Sequence, residues 1–255
     1  MLVFEAKLEG EKQQYERLDE AIRTARFIRN SCIRYWMDNK KVGRYELSAY
    51  CVFLQREFPW ASKLNSMARQ ASAERAWSAI ARFYDNCKKK ATKKGFPRFK
   101  KRQTHGSVEY KTCGWKLSED RITISFTDGF KAGSFKLWGT RDLHFYQLNQ
   151  IKRVRVVRRA DGYYVQFCLD VERVEKREPT GKTIGLDVGL THFYTDSEGS
   201  TVENPRHLRK SETALKRLSR QLSRTQLGSK NRARARNRLG RKHLKVSRQR
   251  KEQCP

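Results

Sequence analysis

Long hydrophobic runs are missing from this sequence. No stretch approaches the ~20 apolar residues that a bilayer-spanning helix needs. The start, MLVFEAKLEGEKQQYERLDEAIRTARFIRN, interleaves acids with bases and lacks the apolar core of a secretory signal, so a cytoplasmic location is expected. Paired cysteines are missing as well. Cys32, Cys51, Cys87, Cys113, Cys168 and Cys254 are scattered and form no C-x-x-C, which argues against a zinc knuckle or a disulfide framework and leaves reduced structural thiols. No tandem repeat is found. Acids are scarce: 27 Asp and Glu stand against 57 Lys and Arg, for a formal net charge of +30. A charge this far from zero opposes compaction until a polyanion neutralises it. Nucleic acid is the expected partner, because each neutralised phosphate releases counterions. An anionic membrane surface is the competing one. The length of 255 residues allows one to three domains with real cores.

What is present falls into blocks of different period. Met1 to Leu8 alternates apolar and polar residues, as a strand does. From Tyr15 the period lengthens: Leu18, Ala21, Ile22, Ala25, Ile28 and Cys32 define one helix face. A second helix is expected after Gly43, with Leu47, Tyr50, Cys51 and Leu54, up to Phe58-Pro59. A third is expected from about Lys63 to Lys90, with Met67, Ala71, Ala76, Ile80 and Phe83 inward. From Gly95 short strands are expected at Ser107–Tyr110, Arg121–Phe126, Ser134–Leu137, Ile151–Val157 and Tyr163–Val171. The last two flank Ala160-Asp161-Gly162 and make the clearest hairpin in the chain. Strands at this spacing suggest a small barrel or curled sheet, which the first strand would join. Glu172–Thr180 reads as a linker. Beyond it come strand, turn, strand, turn and strand, then a helix on Leu215, Leu218 and Leu222, a break at Leu227-Gly228-Ser229-Lys230, and a second basic helix ending near Lys251. The fold class is α+β and multidomain.

Asp187, in IGLDVGL, is the candidate for chemistry. An acid within an apolar run costs free energy unless something compensates it, and Ile184, Leu186, Val188 and Leu190 surround this one. Gly185 and Gly189 would let backbone or ligand approach closely. A carboxylate on the first strand of such a sheet can hold Mg²⁺, and two-metal sites set hard cations about 3.5–4 Å apart. The competing reading is a turn or helix-capping aspartate.

IGLDVGL, followed by FYTDSEG, ENPRHLRKSE, the leucine-spaced basic helix and GSKNR, resembles the OrfB/TnpB family of insertion-sequence proteins. EFP, LNSMARQASAERAW, GFPRFKKR and SVEYK match earlier blocks of that family in the same order. The resemblance implies a β-barrel wedge (1–12 and 95–178) holding an inserted helical recognition region (13–94). An RNase H-like (RuvC) domain with long basic helices (179–255) would follow. It implies RNA-guided DNA cleavage with Mg²⁺, with guide RNA and target DNA as partners and Asp187 as the first catalytic carboxylate and metal ligand. The family's other two carboxylates and its zinc ribbon have no counterpart here, so a C-terminally truncated copy is expected. Such a copy would bind nucleic acid without cleaving it, or be inert. The five histidines form no His-x-His pair, which disfavours a tyrosine-type transposase. A ribosomal-type RNA binder fits the charge but not the ordered blocks. The oligomeric state stays open.

Four groups of candidate nucleic-acid contacts follow. The resemblance puts Arg69 and Gln70 of the third helix near duplex DNA, where Arg can read guanine and Gln adenine; a solvated helix face is the alternative. In KKKATKKGFPRFKKR, Lys89, Lys90, Lys93, Lys94, Arg98, Lys100 and Lys101 surround Phe96 and Phe99. The two rings could stack on bases or pack at the barrel edge. Arg153 and Arg155 should share one strand face with Val154 and Val156 on the other. Between Arg206 and Lys251 eighteen Lys or Arg accompany one acid, Glu212. That density points to phosphate contact by Arg209, Lys210, Arg217, Arg220, Lys230 and Arg232.

Overall fold

The computed structural model describes residues 2–101, 106–139, 142–172 and 180–253. It divides into two compact units, Met1–Arg173 and Val174–Pro255. Most of the expected linker lies outside the described residues.

The first unit is built on an antiparallel sheet of seven strands: β1 (Leu2–Glu9), β2 (Gly106–Tyr110), β3 (Trp115–Leu117), β4 (Thr123–Phe126), β5 (Gly133–Trp138), β6 (Ile151–Arg159) and β7 (Gly162–Leu169). Their spatial order is β2-β6-β7-β1-β5-β4-β3. β1 joins the two halves, pairing Leu2–Lys7 with β7 and Lys7–Glu9 with β5. Its alternation turns Leu2, Phe4, Ala6 and Leu8 toward the core. β7 lies between β6 and β1 and is buried along most of its length. The edges β2 and β3 nearly meet. Tyr110 stacks on Phe126 at 5.2 Å, its hydroxyl donates to Asp128 Oδ2 at 2.7 Å, and Thr127 N–H donates to Gly114 O at 3.0 Å. Phe135, Phe167 and Tyr110 are fully buried in this sheet, each worth about 1.5–3 kcal/mol of burial. The β6–β7 hairpin turns where expected, at Ala160-Asp161, and Gly162 adopts φ +139°, a region L side chains avoid.

Between β1 and β2 the chain forms α1 (Lys12–Asp38), α2 (Arg44–Glu57), α3 (Pro59–Ser62) and α4 (Ser66–Lys88). The α1 face read from the sequence is buried, and it also contains Arg29 and Ile33. α4 buries Ala68, Ala71, Ala73 and Ala76, small side chains that let neighbouring helices approach. The expected third helix is α4, and a short helix that the sequence reading did not include, α3, precedes it. Pro59 opens α3 without losing a needed N–H, and Asn65 Oδ1 accepts from Met67 N–H at 2.9 Å to start α4. Gln14 hooks α1 to the sheet, its Nε2 donating to the Ala132 and Ser134 carbonyls. Cys32, Cys51, Cys87, Cys113 and Cys168 are free thiols, and Cys254 lies outside the described residues.

The second unit begins with a three-stranded antiparallel sheet, β8 (Leu186–Asp187), β9 (His192–Asp196) and β10 (Thr201–Glu203), in the order β10-β9-β8. A helical hairpin follows, α5 (His207–Ser223) and α6 (Lys230–Gln253), with Leu215, Ala235 and Val246 buried. Ser229 Oγ accepts from Arg232 N–H at 3.1 Å and caps the start of α6.

Candidate nucleic-acid interface

On β6 the alternation separates the faces as the sequence indicates: Val154 and Val156 are fully buried, while Arg153 and Arg155 are 39% and 36% exposed. The two guanidiniums are not isolated. Glu109 of β2, only 3% exposed, accepts from Arg153 Nη1 at 2.7 Å and from Arg155 Nε and Nη2 at 2.8 and 2.6 Å. Burial pushes the Glu109 carboxyl up, but the hydrogen bonds and charges of both arginines outweigh it and hold the group below its ordinary range. Glu74 of α4 extends the network to Lys111 at 2.7 Å, Arg44 at 3.1 Å and Arg153 at 3.7 Å. The acids fix the forks in place and leave part of each facing solvent.

The basic stretch after α4 is clamped to α1 by its backbone. Asn30 donates to Lys100 O and accepts from Lys100 N–H, both at 2.9 Å, and Arg29 Nη1 donates to Arg98 O at 3.3 Å. Arg98, Lys100 and Lys101 are therefore presented from a fixed line of chain. The two phenylalanines differ in their surroundings. Phe96 packs on Trp36 at 5.7 Å and Phe83 at 5.2 Å. Phe99 instead lines a cavity of about 590 Å³ with Arg26, Arg29, Arg75, Lys100 and Lys101. Lys89, Lys90, Lys93 and Lys94 lie exposed beyond the end of α4. Sequence reasoning missed Arg29 and Arg75. The available signal was an arginine standing in an apolar series, Ala25-Ile28-Arg29-Cys32.

Arg69 is engaged internally. Its Nη1 donates to the Leu64 and Ser62 carbonyls at 2.6 and 3.0 Å, and its Nη2 to Gln55 Oε1 at 2.6 Å. It ties α2 to the start of α4, and Gln70 beside it is the exposed side chain. Arg232 is likewise committed, with Nη1 donating to the Thr225 and Leu222 carbonyls at 2.8 and 3.0 Å at the end of α5. Arg209, Lys210, Arg217, Arg220 and Lys230 are exposed. Glu212 pairs with Lys216 at 2.8 Å, which lowers its carboxyl.

Asp187 pairs with Thr195 across β8 and β9 and is exposed, so it carries no cost of burial. β8 is two residues long and paired on one side, so Ile184, Leu186, Val188 and Leu190 are exposed rather than packed around the acid. Nor is tight approach required at the flanking glycines. A Cβ at Gly185 or Gly189 would come no closer than 3.6 or 3.5 Å to its neighbours. Among the described residues no group of three or more His, Cys, Asp or Glu side chains could hold a metal ion. Asp187 alone does not make a magnesium site.

Residues 166–254 match the OrfB_IS605 family model, described as "Probable transposase". A Streptomyces pristinaespiralis protein named "Putative RNA-guided DNA endonuclease" is 26% identical over 192 residues, covering 75% of this chain and 45% of its own. The Escherichia coli K12 "Putative RNA-guided DNA endonuclease InsQ" is 29% identical over 145 residues, 57% of this chain and 34% of its own. These matches make the chain similar to OrfB/TnpB proteins. It spans less than half the length of these two curated relatives. A solved structure titled "Cryo-EM structure of CRISPR-Cas12f Ternary Complex" aligns over 86% of this chain and 54% of its own, at 12% identity and a TM-score of 0.39. No described helix is long and apolar enough to cross a membrane.

Proposed function

We propose that this chain binds a guide RNA and, through it, target DNA, as the recognition part of an RNA-guided DNA endonuclease acting in the cytoplasm. The observation that carries the reading is the α5–α6 hairpin. Its stretch from Arg206 to Lys251 holds eighteen Lys or Arg and one acid, and that acid, Glu212, pairs with Lys216. Solubility does not require cations at that density, whereas a polyphosphate backbone does. The seven-stranded sheet would be the wedge barrel, α1–α4 the recognition insert and β8–β10 with α5–α6 part of an RNase H-like (RuvC) domain. The names of the two relatives support the proposed activity.

Asp187 is our candidate for one Mg²⁺ ligand. The described residues supply it no partner carboxylates, so we route no cleavage step through it. Phosphodiester cleavage needs charge neutralised at phosphorus and a stabilised leaving oxygen. Residues 1–255 should therefore bind a matched plasmid without cutting it in Mg²⁺. Adding the C-terminal part of a longer relative should restore cutting, and Asp187→Ala should abolish it. Cutting by residues 1–255 that survives Asp187→Ala would contradict the assignment.

A further inference from the structure

The cavity beside Phe99 is enclosed by α1, α4, β2, β6 and the clamped chain at Arg98–Lys101. Gly106 allows β2 to lie this close to α1, since a Cβ there would come to 2.5 Å from Ile22 Cγ2. Seven of the fourteen lining residues are Lys or Arg and none is acidic. Arg26 and Arg29 come from α1, Arg75 from α4, Arg158 from β6, and Arg98, Lys100 and Lys101 from the clamped segment. Arg158 is paired with Asp19 at 2.5 Å. Among the described residues no salt bridge of Arg29, Arg75, Arg98, Lys100 or Lys101 is found. Glu109, the carboxylate whose field reaches Arg75, is already bonded to Arg153 and Arg155.

We infer that this cavity is an anchoring site for one backbone phosphate of a bound nucleic-acid strand, with Phe99 beside it for a base. The inference rests on the proposed nucleic-acid function and gives it a defined point of contact. Three observations support it. Arg29 is buried on the apolar face of α1 without an acid to pair it, an arrangement that costs stability until an anion arrives. The volume, about 590 Å³, lies within the roughly 300–1,000 Å³ of small-ligand sites. Guanidinium forks from two helices and an ammonium converge there, and phosphate oxygens accept such charge-assisted bonds in pairs.

Protonation gives the site a signature. Burial, then the charges of Arg75, Arg29 and Arg155, push the Lys100 ammonium down to about 8. Arg26, Arg98, Lys101 and Arg158 also line the space, and no acid does. A phosphate entering the cavity restores Lys100 toward its ordinary value, so binding near pH 8 takes up a proton. Affinity must fall as pH rises through 8.

The test is isothermal titration of the full chain with penta-adenylate RNA and its DNA counterpart. Both lack terminal phosphates, so neither titrates near pH 8. Inorganic phosphate serves as a competitor. Lys100→Met and Arg75→Gln should each weaken pentamer binding at least tenfold, while Lys94→Met, an exposed charge outside the cavity, changes it less than twofold. Lys100→Arg should keep the affinity and lose the proton uptake, which appears for wild type as about half a proton at pH 8 in buffers of different ionisation enthalpy. Arg75 donates to Ser107, so the Arg75→Gln result is read beside Lys100→Met, whose bonds to Asn30 come from the backbone. Equal losses for Lys94→Met and Lys100→Met would overturn the site in favour of diffuse charge. So would pentamer binding unchanged by Lys100→Met. Inorganic phosphate binding that neither pentamer displaces would overturn the strand assignment. Loss of long-RNA binding by wild type would instead count against the proposed function.

Discussion

Glu109→Gln removes one charge from the centre of the β2–β6 network and leaves the shape almost unchanged. The carboxylate is 3% exposed and receives three hydrogen bonds from Arg153 and Arg155. Breaking a buried pair by removing one partner costs roughly 3–5 kcal/mol. The arginines are 39% and 36% exposed, so water screens part of their repulsion, and about 2 kcal/mol is the reasonable expectation. With a urea m-value of about 2 kcal/mol/M, the unfolding midpoint should fall by about 1 M. All five tryptophans, at 36, 60, 77, 115 and 138, lie in the first unit, so their fluorescence reports that unit alone. The pH dependence follows from sign. The folded carboxyl lies below its ordinary 4.5, so its contribution is present above about pH 4.5 and lost as pH falls toward the folded value. Wild type and Glu109→Gln should therefore converge in acid. RNA affinity should not fall, because the variant is one charge more positive. A midpoint that moves by less than about 0.2 M at pH 7, or rises, refutes the idea that this acid holds the arginine face together.

Three further outcomes are expected. RNA affinity should fall steeply with salt, and Arg217→Glu with Arg220→Glu should flatten the slope by about 0.7 for each single-strand phosphate that the protein no longer neutralises, as measured by filter binding. Tyr110→Phe should cost about 1–3 kcal/mol in urea unfolding, because it removes the hydroxyl bonded to buried Asp128. Asp187→Ala should leave stability within about 0.5 kcal/mol of wild type, because the side chain is exposed. A larger loss would mark Asp187 as a structural turn residue.

Periodicity carried most of the element pattern, because burial alternates wherever one face of an element is covered. The α1 face and the β6–β7 hairpin follow directly from spacing. The short helix α3 was harder to read, since four residues, Pro59–Ser62, are too few to display a period. β3 was missed because three residues, Trp115–Leu117, are too few to display a period. At the candidate site, residue type revealed charge but not commitment. Arg69 and Arg232 look like Lys94 in sequence, yet their guanidiniums are spent on carbonyls that only the fold brings within reach. The cavity around Arg29 and Arg75 joins positions 46 residues apart on different helices, which no local pattern encodes. For Asp187 the apolar run suggested burial, and the structure leaves it exposed, because a strand paired on one side covers nothing by itself.

Guided recognition is the central claim, and a mobility shift tests it most directly. RNA that copurifies with the full chain is sequenced, and its variable segment is matched or mismatched to labelled duplex DNA. The account predicts that protein with that RNA retards the matched duplex at salt concentrations where the mismatched one runs free. Equal retardation of both duplexes, with or without RNA, would leave only a nonspecific polycation and contradict the account.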